Sequence, residues 1–210
     1  MSSFFDVYWH SRFMQLNTIV SIIALGVILE RVYMLWAKYS VNGVSFMQTI
    51  ERHILANDLN SARNFANTSK SPLATVVKSG LAKAPLGGMA VSMGIDEALL
   101  QVTPRIEKRI GSLWAIANIA TLVGLIGTIW GLSISFGALG GLSAEARAEA
   151  MGVGIAEALY NTMLGLSIAV ICIIAHLILS GWAKKIIGDL DYYTSRLENL
   201  LTIRHESEAA

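Results

Sequence analysis

From Ile110 to Ala144 the chain carries no Asp, Glu, Lys, Arg or His, a run of 35 residues. A water-soluble helix has no use for such a stretch, whereas a membrane-crossing helix needs about 20 mostly apolar residues to cover about 30 Å of hydrocarbon. Composition points the same way: 54% of the 210 residues are hydrophobic and 15% are charged, against roughly 25% charged in ordinary soluble domains.

Runs of that length with charges only at their ends predict three transmembrane helices, over residues 14–37, 112–139 and 152–182. Both later runs are long enough to span with tilt. A cleaved signal peptide is the rival reading of the first run, but Asp6 spoils its n-region and no small-x-small site precedes Glu30-Arg31, so it reads as a retained span. The remaining segments are a short N-terminus (1–13), a large loop (38–111), a short connection (140–151) and a C-terminal tail (183–210). Lys and Arg outside the spans set topology. Residues 38–109 carry nine and the tail carries four, against Arg12 alone before the first span and Arg147 alone between the second and third. This places the N-terminus and the short connection outside and the loop and C-terminus in the cytoplasm.

The loop is itself helical by pattern. Phe46, Ile50, Ile54 and Leu55 recur at helical spacing, Leu59 to Phe65 reads as another short helix, and Ala90 to Arg109 reads as a helix leading straight into the second span. The tail repeats Ile186, Ile187, Leu190, Tyr193, Leu197 and Leu200 at three- and four-residue steps between charges, the pattern of an amphipathic helix continuing the third span into the cytoplasm. The expected fold class is therefore an all-α membrane protein with three transmembrane helices, a helical cytoplasmic domain and long helices extending into the cytoplasm.

Several function classes drop out. The net charge of +1 lacks the basic excess of a nucleic-acid binder. One cysteine, Cys172, excludes an intramolecular disulfide and a multi-cysteine metal site. No phosphate-cradling loop, HExxH or nucleophile elbow is present, so neither a metal, a cofactor nor an enzyme activity is expected.

One ionisable residue stands out. Glu157 lies inside the third span, where a carboxylate costs at least a few kcal/mol and persists mainly where it faces a bundle interior, a partner or water. The bland alternative is an interfacial glutamate that reaches outward or caps the helix entrance. Asn161 and Thr162 follow it by four and five residues. Thr128 lies at a similar depth on the second span; its hydroxyl either joins this polar track or bonds back to its own helix. Small residues at Gly124, Gly127, Gly131, Gly154 and Gly165 predict close helix packing. His176, Cys172 and the Glu30-Arg31 pair read as an interfacial histidine, an apolar packer and an ion pair with snorkelling side chains. Tyr8, Trp9, Trp36 and Trp182 fit interfacial aromatic belts.

Two stretches, Leu122-Val-Gly-Leu-Ile-Gly-Thr-Ile-Trp-Gly-Leu132 and Gly154-Ile-Ala-Glu-Ala-Leu-Tyr-Asn-Thr-Met-Leu-Gly-Leu166, resemble the two signature helices of the TolQ/ExbB/MotA proton-channel family. The Glu-Arg pair near the end of the first span, followed by an apolar segment, is similar as well. The resemblance implies a homopentamer whose second and third spans line a pore, enclosing two copies of a single-span ExbD/TolR-like partner with a membrane Asp. By position it makes Glu157 the pore glutamate and Thr128 and Thr162 the pore-lining threonines, with Asn161 on the same track. The implied function is the stator of a proton-driven motor serving a Tol-, gliding- or TonB-type system. A membrane scaffold that organises its partner without conducting ions is the alternative.

Overall fold

In lipid a helix satisfies every backbone N–H and C=O within its own segment, and apolar runs with so few prolines make it the only economical backbone here. The computed structural model describes residues 8–9, 11–39, 43–137, 140 and 143–209; the expected N-terminus through residue 7 and the end of the second span at Leu139 lie outside the described residues. The helices are α1 (Arg12–Tyr33), running into a π-helical turn (Met34–Tyr39), α2 (Gly43–Leu55), α3 (Leu59–Thr68), α4 (Pro72–Lys83), α5 (Gly88–Glu107), α6 (Ile110–Gly137) and α7 (Ala144–Ala209). No strand occurs among the described residues. Three stretches of helix, within Arg12–Ala37, Gly88–Gly137 and Glu145–His205, are long and apolar enough to cross a membrane.

The chain divides into two compact units, one comprising residues up to Glu30 and Arg109–Ile178, the other Arg31–Lys108 and Leu179–Ala210. In the first, α1, α6 and α7 meet over a core of small side chains: Ala24, Ala117, Ala120, Ile168, Ala169 and Cys172. Their larger residues, among them Ile22, Ile126, Ile129 and Ile171, face outward. This inversion of the soluble pattern suits hydrocarbon, where helices associate through close packing of small residues and not through the hydrophobic effect.

The second unit has a conventional apolar core. Phe46, Met47 and Ile50 of α2, Val76, Val77 and Leu81 of α4, Val91, Ile95, Val102 and Ile106 of α5, and Leu190, Leu197 and Leu201 of α7 are all buried. Polar side chains close the helix ends. The Asp58 carboxylate caps α3 by accepting from the Ser61 N–H at 2.9 Å and the Ser61 hydroxyl at 2.6 Å. These bonds favour the charged form, so its carboxyl lies below the usual aspartate value. Ser71 caps α4, with Pro72 in the first turn. Arg63 donates through Nη2 (2.7 Å) and Nε (3.2 Å) to the Leu81 carbonyl near the other end of α4. Arg196 of α7 grips Glu51 of α2, with Nη2 donating to Oε2 at 2.9 Å and Nε 2.6 Å from Oε1.

Four details depart from the sequence reading. The helix before the second span does not run straight into it: α5 ends at Glu107, Arg109 takes a left-handed backbone (φ 60°), and α6 starts anew at Ile110. The Arg109 carbonyl accepts from the Ser112 hydroxyl at 2.6 Å and its guanidinium pairs with Glu30 of α1, contacts that help hold a conformation costing a non-glycine residue about 1 kcal/mol. Arg31 does not snorkel; it is packed within protein at 2% exposure. Leu55 points away from the core that Phe46, Ile50 and Ile54 fill, because α2 ends there. The connection after the second span is already helical from Ala144.

Candidate functional site in the membrane-spanning unit

Threonine tolerates an apolar helix because its hydroxyl can bond a carbonyl one turn back. Thr128 does this on α6, donating to Gly124 O at 3.0 Å, and Thr162 does the same on α7, toward Ala158 O at 3.3 Å. The helices lie close enough for a second set of contacts. Thr128 Oγ1 also lies 3.1 Å from the Ala158 carbonyl, and the two threonine hydroxyls are in hydrogen-bond contact with each other. Two protons are thus shared among two hydroxyl oxygens and two carbonyls. Whichever hydroxyl donates to its neighbour, that neighbour still has a carbonyl to donate to, so the direction of the bond can reverse without leaving a polar group unpaired.

Asn161 takes a different position. It is fully buried, donates from Nδ2 to the Glu157 carbonyl at 3.1 Å, and accepts at Oδ1 from the Ser11 hydroxyl at 3.1 Å. Its amide therefore ties α7 to the residue preceding α1, inside a single chain. Glu157 is half-buried on α7, and its carboxylate has no hydrogen-bond or ion-pair partner among the described residues. The track of sequence neighbours Glu157, Asn161 and Thr162 is thereby divided: Thr162 turns toward Thr128, Asn161 toward Ser11, and Glu157 keeps an uncommitted side chain.

The glycines explain how the helices come so near. A methyl group at Gly127 would stand 2.7 Å from the Asn161 side chain, one at Gly124 2.9 Å from the Asn161 carbonyl, and one at Gly165 2.5 Å from the Ala120 carbonyl. At Gly154 it would fall 1.4 Å from Ser135 Oγ, so the Ser135 side chain occupies the place that a Cβ would take. Gly131 is less crowded, with its nearest neighbour at 3.4 Å.

Toward the other end of α6, His176 Nδ1 lies 3.0 Å from the Ile110 carbonyl and its ring stands against Trp114. That fixes the start of α6 against α7. Cys172 is a buried core residue. Sequence reasoning passed over Ser11 and Asn17; Ser135 counted only among the small residues expected to let the helices pack closely. Asn17 of α1 is fully buried, and neither atom of its amide has a hydrogen-bond partner among the described residues. An asparagine inside the charge-free run of Met14–Leu29 is the signal that would have found it, since polar side chains within spans tend to sit between helices.

A three-span helical membrane protein whose second and third spans are joined by a hydroxyl pair, with a carboxylate on another flank of the third span, is the class that fold and site define. The chain belongs to the MotA/TolQ/ExbB proton channel family, whose model matches residues 68–191. It is similar to the Tol-Pal system protein TolQ of Haemophilus influenzae, 34% identical over 100 residues that make up 48% of this chain and 42% of that protein. It is also similar to the putative biopolymer transport protein ExbB-like 3 of Synechocystis, 27% identical over 153 residues and 71% of each chain. The biopolymer transport protein ExbB of Neisseria gonorrhoeae is 31% identical over 136 residues, 63% of this chain and 56% of its own. The matched part thus spans about half the length of the TolQ and ExbB relatives.

Proposed function

We infer that the chain is the channel-forming stator subunit of a proton-driven motor in the bacterial inner membrane, with its N-terminus periplasmic and its C-terminus cytoplasmic. The observation that carries this reading is the Thr128–Thr162 hydroxyl pair. Donor–acceptor reversal in such a pair is what a proton relay through apolar surroundings needs, and Glu157, uncommitted on the same helix, supplies a group that can take up and release the proton. Each charge crossing the membrane releases about 2.3 kcal/mol per 100 mV, which the motor spends on moving its partner. The outward apolar faces of α1, α6 and α7 fit a homo-oligomer, a pentamer in this reading, around two copies of a single-span ExbD/TolR-like partner whose membrane Asp lies opposite Glu157. The process energised is of the Tol, TonB or gliding type.

Proton flux into liposomes holding the chain and its partner tests the proposal. The expected result is flux under an imposed potential that Glu157→Gln and Glu157→Ala both abolish, with assembly intact because the carboxylate has no partner among the described residues to lose. Flux unchanged in both variants would remove Glu157 from the mechanism. A reconstituted complex that never conducts would leave the non-conducting scaffold as the reading.

A further inference from the structure

The π-helical turn Met34–Tyr39 follows directly on the apolar length of α1, and π-turns often mark functional sites because they widen the helix and redirect its side chains. Here the turn lines one wall of a cavity of about 360 Å³ within the second unit; the facing wall comes from α7 between Trp182 and Tyr193, and Pro72 and Leu73 at the start of α4 complete it. The cavity is amphipathic along its length. Leu35, Trp36 and Trp182 line the part next to the apolar segments of spans one and three, while Tyr39, Lys185, Asp189 and Tyr193 line the part beyond them. Tyr193 packs against Gly43, where an added methyl would stand 2.5 Å from its ring. Tryptophan and tyrosine are the residues enriched at the boundary between hydrocarbon and headgroups.

The charges are arranged in an unusual way. Lys185 and Asp189 stand four residues apart on one face of α7 and line the same cavity, the spacing at which opposite charges commonly pair. They form no ion pair or hydrogen bond with each other or with any other described residue. One positive and one negative group therefore face the cavity one helical turn apart, just beyond the apolar part of the third span, with no partner among the described residues.

We propose that this cavity is a binding site for a zwitterionic aminophospholipid, phosphatidylethanolamine, with the phosphate at Lys185, the ammonium at Asp189 and the acyl chains running out over Trp36 and Trp182. An anionic headgroup such as phosphatidylglycerol satisfies the lysine but meets repulsion from Asp189. Phosphatidylcholine offers a cation without N–H donors, so Asp189 would gain no hydrogen bond. The two-carbon link between phosphate and primary ammonium matches a lysine and an aspartate one turn apart, and the rings of Trp182 and Tyr193 give the ammonium a π-face besides. The site does not depend on whether ions cross the spans.

Native mass spectrometry of the full-length protein in mild detergent, titrated in turn with phosphatidylethanolamine, phosphatidylglycerol and phosphatidylcholine, tests this. The expected result is one saturable adduct per chain that favours phosphatidylethanolamine by about fivefold or more, on the order of 1 kcal/mol. Asp189→Asn removes that preference and leaves phosphatidylglycerol binding unchanged or stronger; Lys185→Gln weakens both. Both side chains are exposed and have no partner among the described residues, and the same spectra report that the variants stay assembled. A preference for phosphatidylglycerol, equal binding of all three lipids, or phosphatidylethanolamine binding unaffected by Asp189→Asn would each overturn the proposal.

Discussion

The hydroxyls of Thr128 and Thr162 meet beside one shared acceptor, the Ala158 carbonyl, so the second and third spans of a single chain are joined by a bond whose direction can reverse. On α7 alone Thr162 points well away from Glu157, since five steps of about 100° leave the two roughly 140° apart. The contact with Thr128 is made within one chain, and a relay between threonine and glutamate then requires the flank of α7 that carries Glu157 to be reached from a neighbouring copy or the partner.

Removing either hydroxyl while keeping its shape should break the relay. Thr128→Val and Thr162→Val are each expected to lower partner-dependent proton flux by about tenfold or more, equivalent to about 1.4 kcal/mol, whereas Thr128→Ser should retain most of it. The double valine variant should be little worse than either single one, because both remove the same coupled unit. Additive losses measured in the liposome assay would show two independent hydroxyls.

Helix contact at Gly154 rests on the space that the Ser135 side chain fills. Gly154→Ala should therefore destabilise the folded chain by about 1 to 3 kcal/mol, and Ser135→Gly in the same background should recover most of the loss. Gly165→Ala presses instead on the backbone carbonyl of Ala120, so no side-chain truncation on α6 should rescue it. Thermal unfolding in detergent distinguishes the two cases.

Two buried asparagines should respond in opposite directions. Asn161 holds Ser11 and the Glu157 carbonyl, so Asn161→Leu should cost about 2 kcal/mol or more by leaving a buried hydroxyl without its acceptor and crowding Gly127. Asn17 has nothing to lose, because both its amide atoms lack partners among the described residues. Asn17→Leu should be neutral or stabilising in the same measurement, and a large loss of stability there would show that the amide binds water or a group from another chain.

The α3 cap gives a pH signature. The Ser61 hydroxyl and N–H hold the Asp58 carboxyl below its ordinary value, and a depressed carboxyl stabilises the fold above its unfolded pKa and loses that effect as pH falls through its folded one. Hydrogen exchange of α3 should thus be faster in Asp58→Ala than in the parent at neutral pH. The difference should shrink as pH is lowered through and below the usual aspartate range. Asp58→Asn, which keeps an acceptor without titrating, should show much less pH dependence.

The three apolar spans were legible because charge-free length is a local property. So were α2, α3, α5 and the tail of α7, whose apolar residues recur at helical spacing, whereas α4 (Pro72–Lys83) was not read as a helix. The polar track was legible only as a set of residues. A helical wheel puts Asn161 four residues from Glu157, but its burial depends on Ser11, 150 positions away in the chain, and no periodicity encodes that contact. The break between α5 and α6 was hidden for a related reason: left-handed turns usually advertise themselves with glycine, and here an arginine adopts one beside a glutamate and a serine supplied by neighbouring segments. Arg31 was read as snorkelling for a like reason, since a charge beside the end of an apolar run is ordinarily a solvated one.

The seam between the second and third spans also constrains how this sequence can drift over generations. Every possible replacement at a glycine adds at least one carbon, and at Gly124, Gly127, Gly154 and Gly165 that first carbon already collides. Ile126, Ile129 and Leu122, turned outward on the same helix, can exchange among apolar residues with no consequence for the packing of this chain. One face of α6 is therefore open to neutral change, while on the other Gly124, held against the Asn161 carbonyl, admits none, and Gly127, held against the Asn161 side chain, admits one only together with a change at position 161.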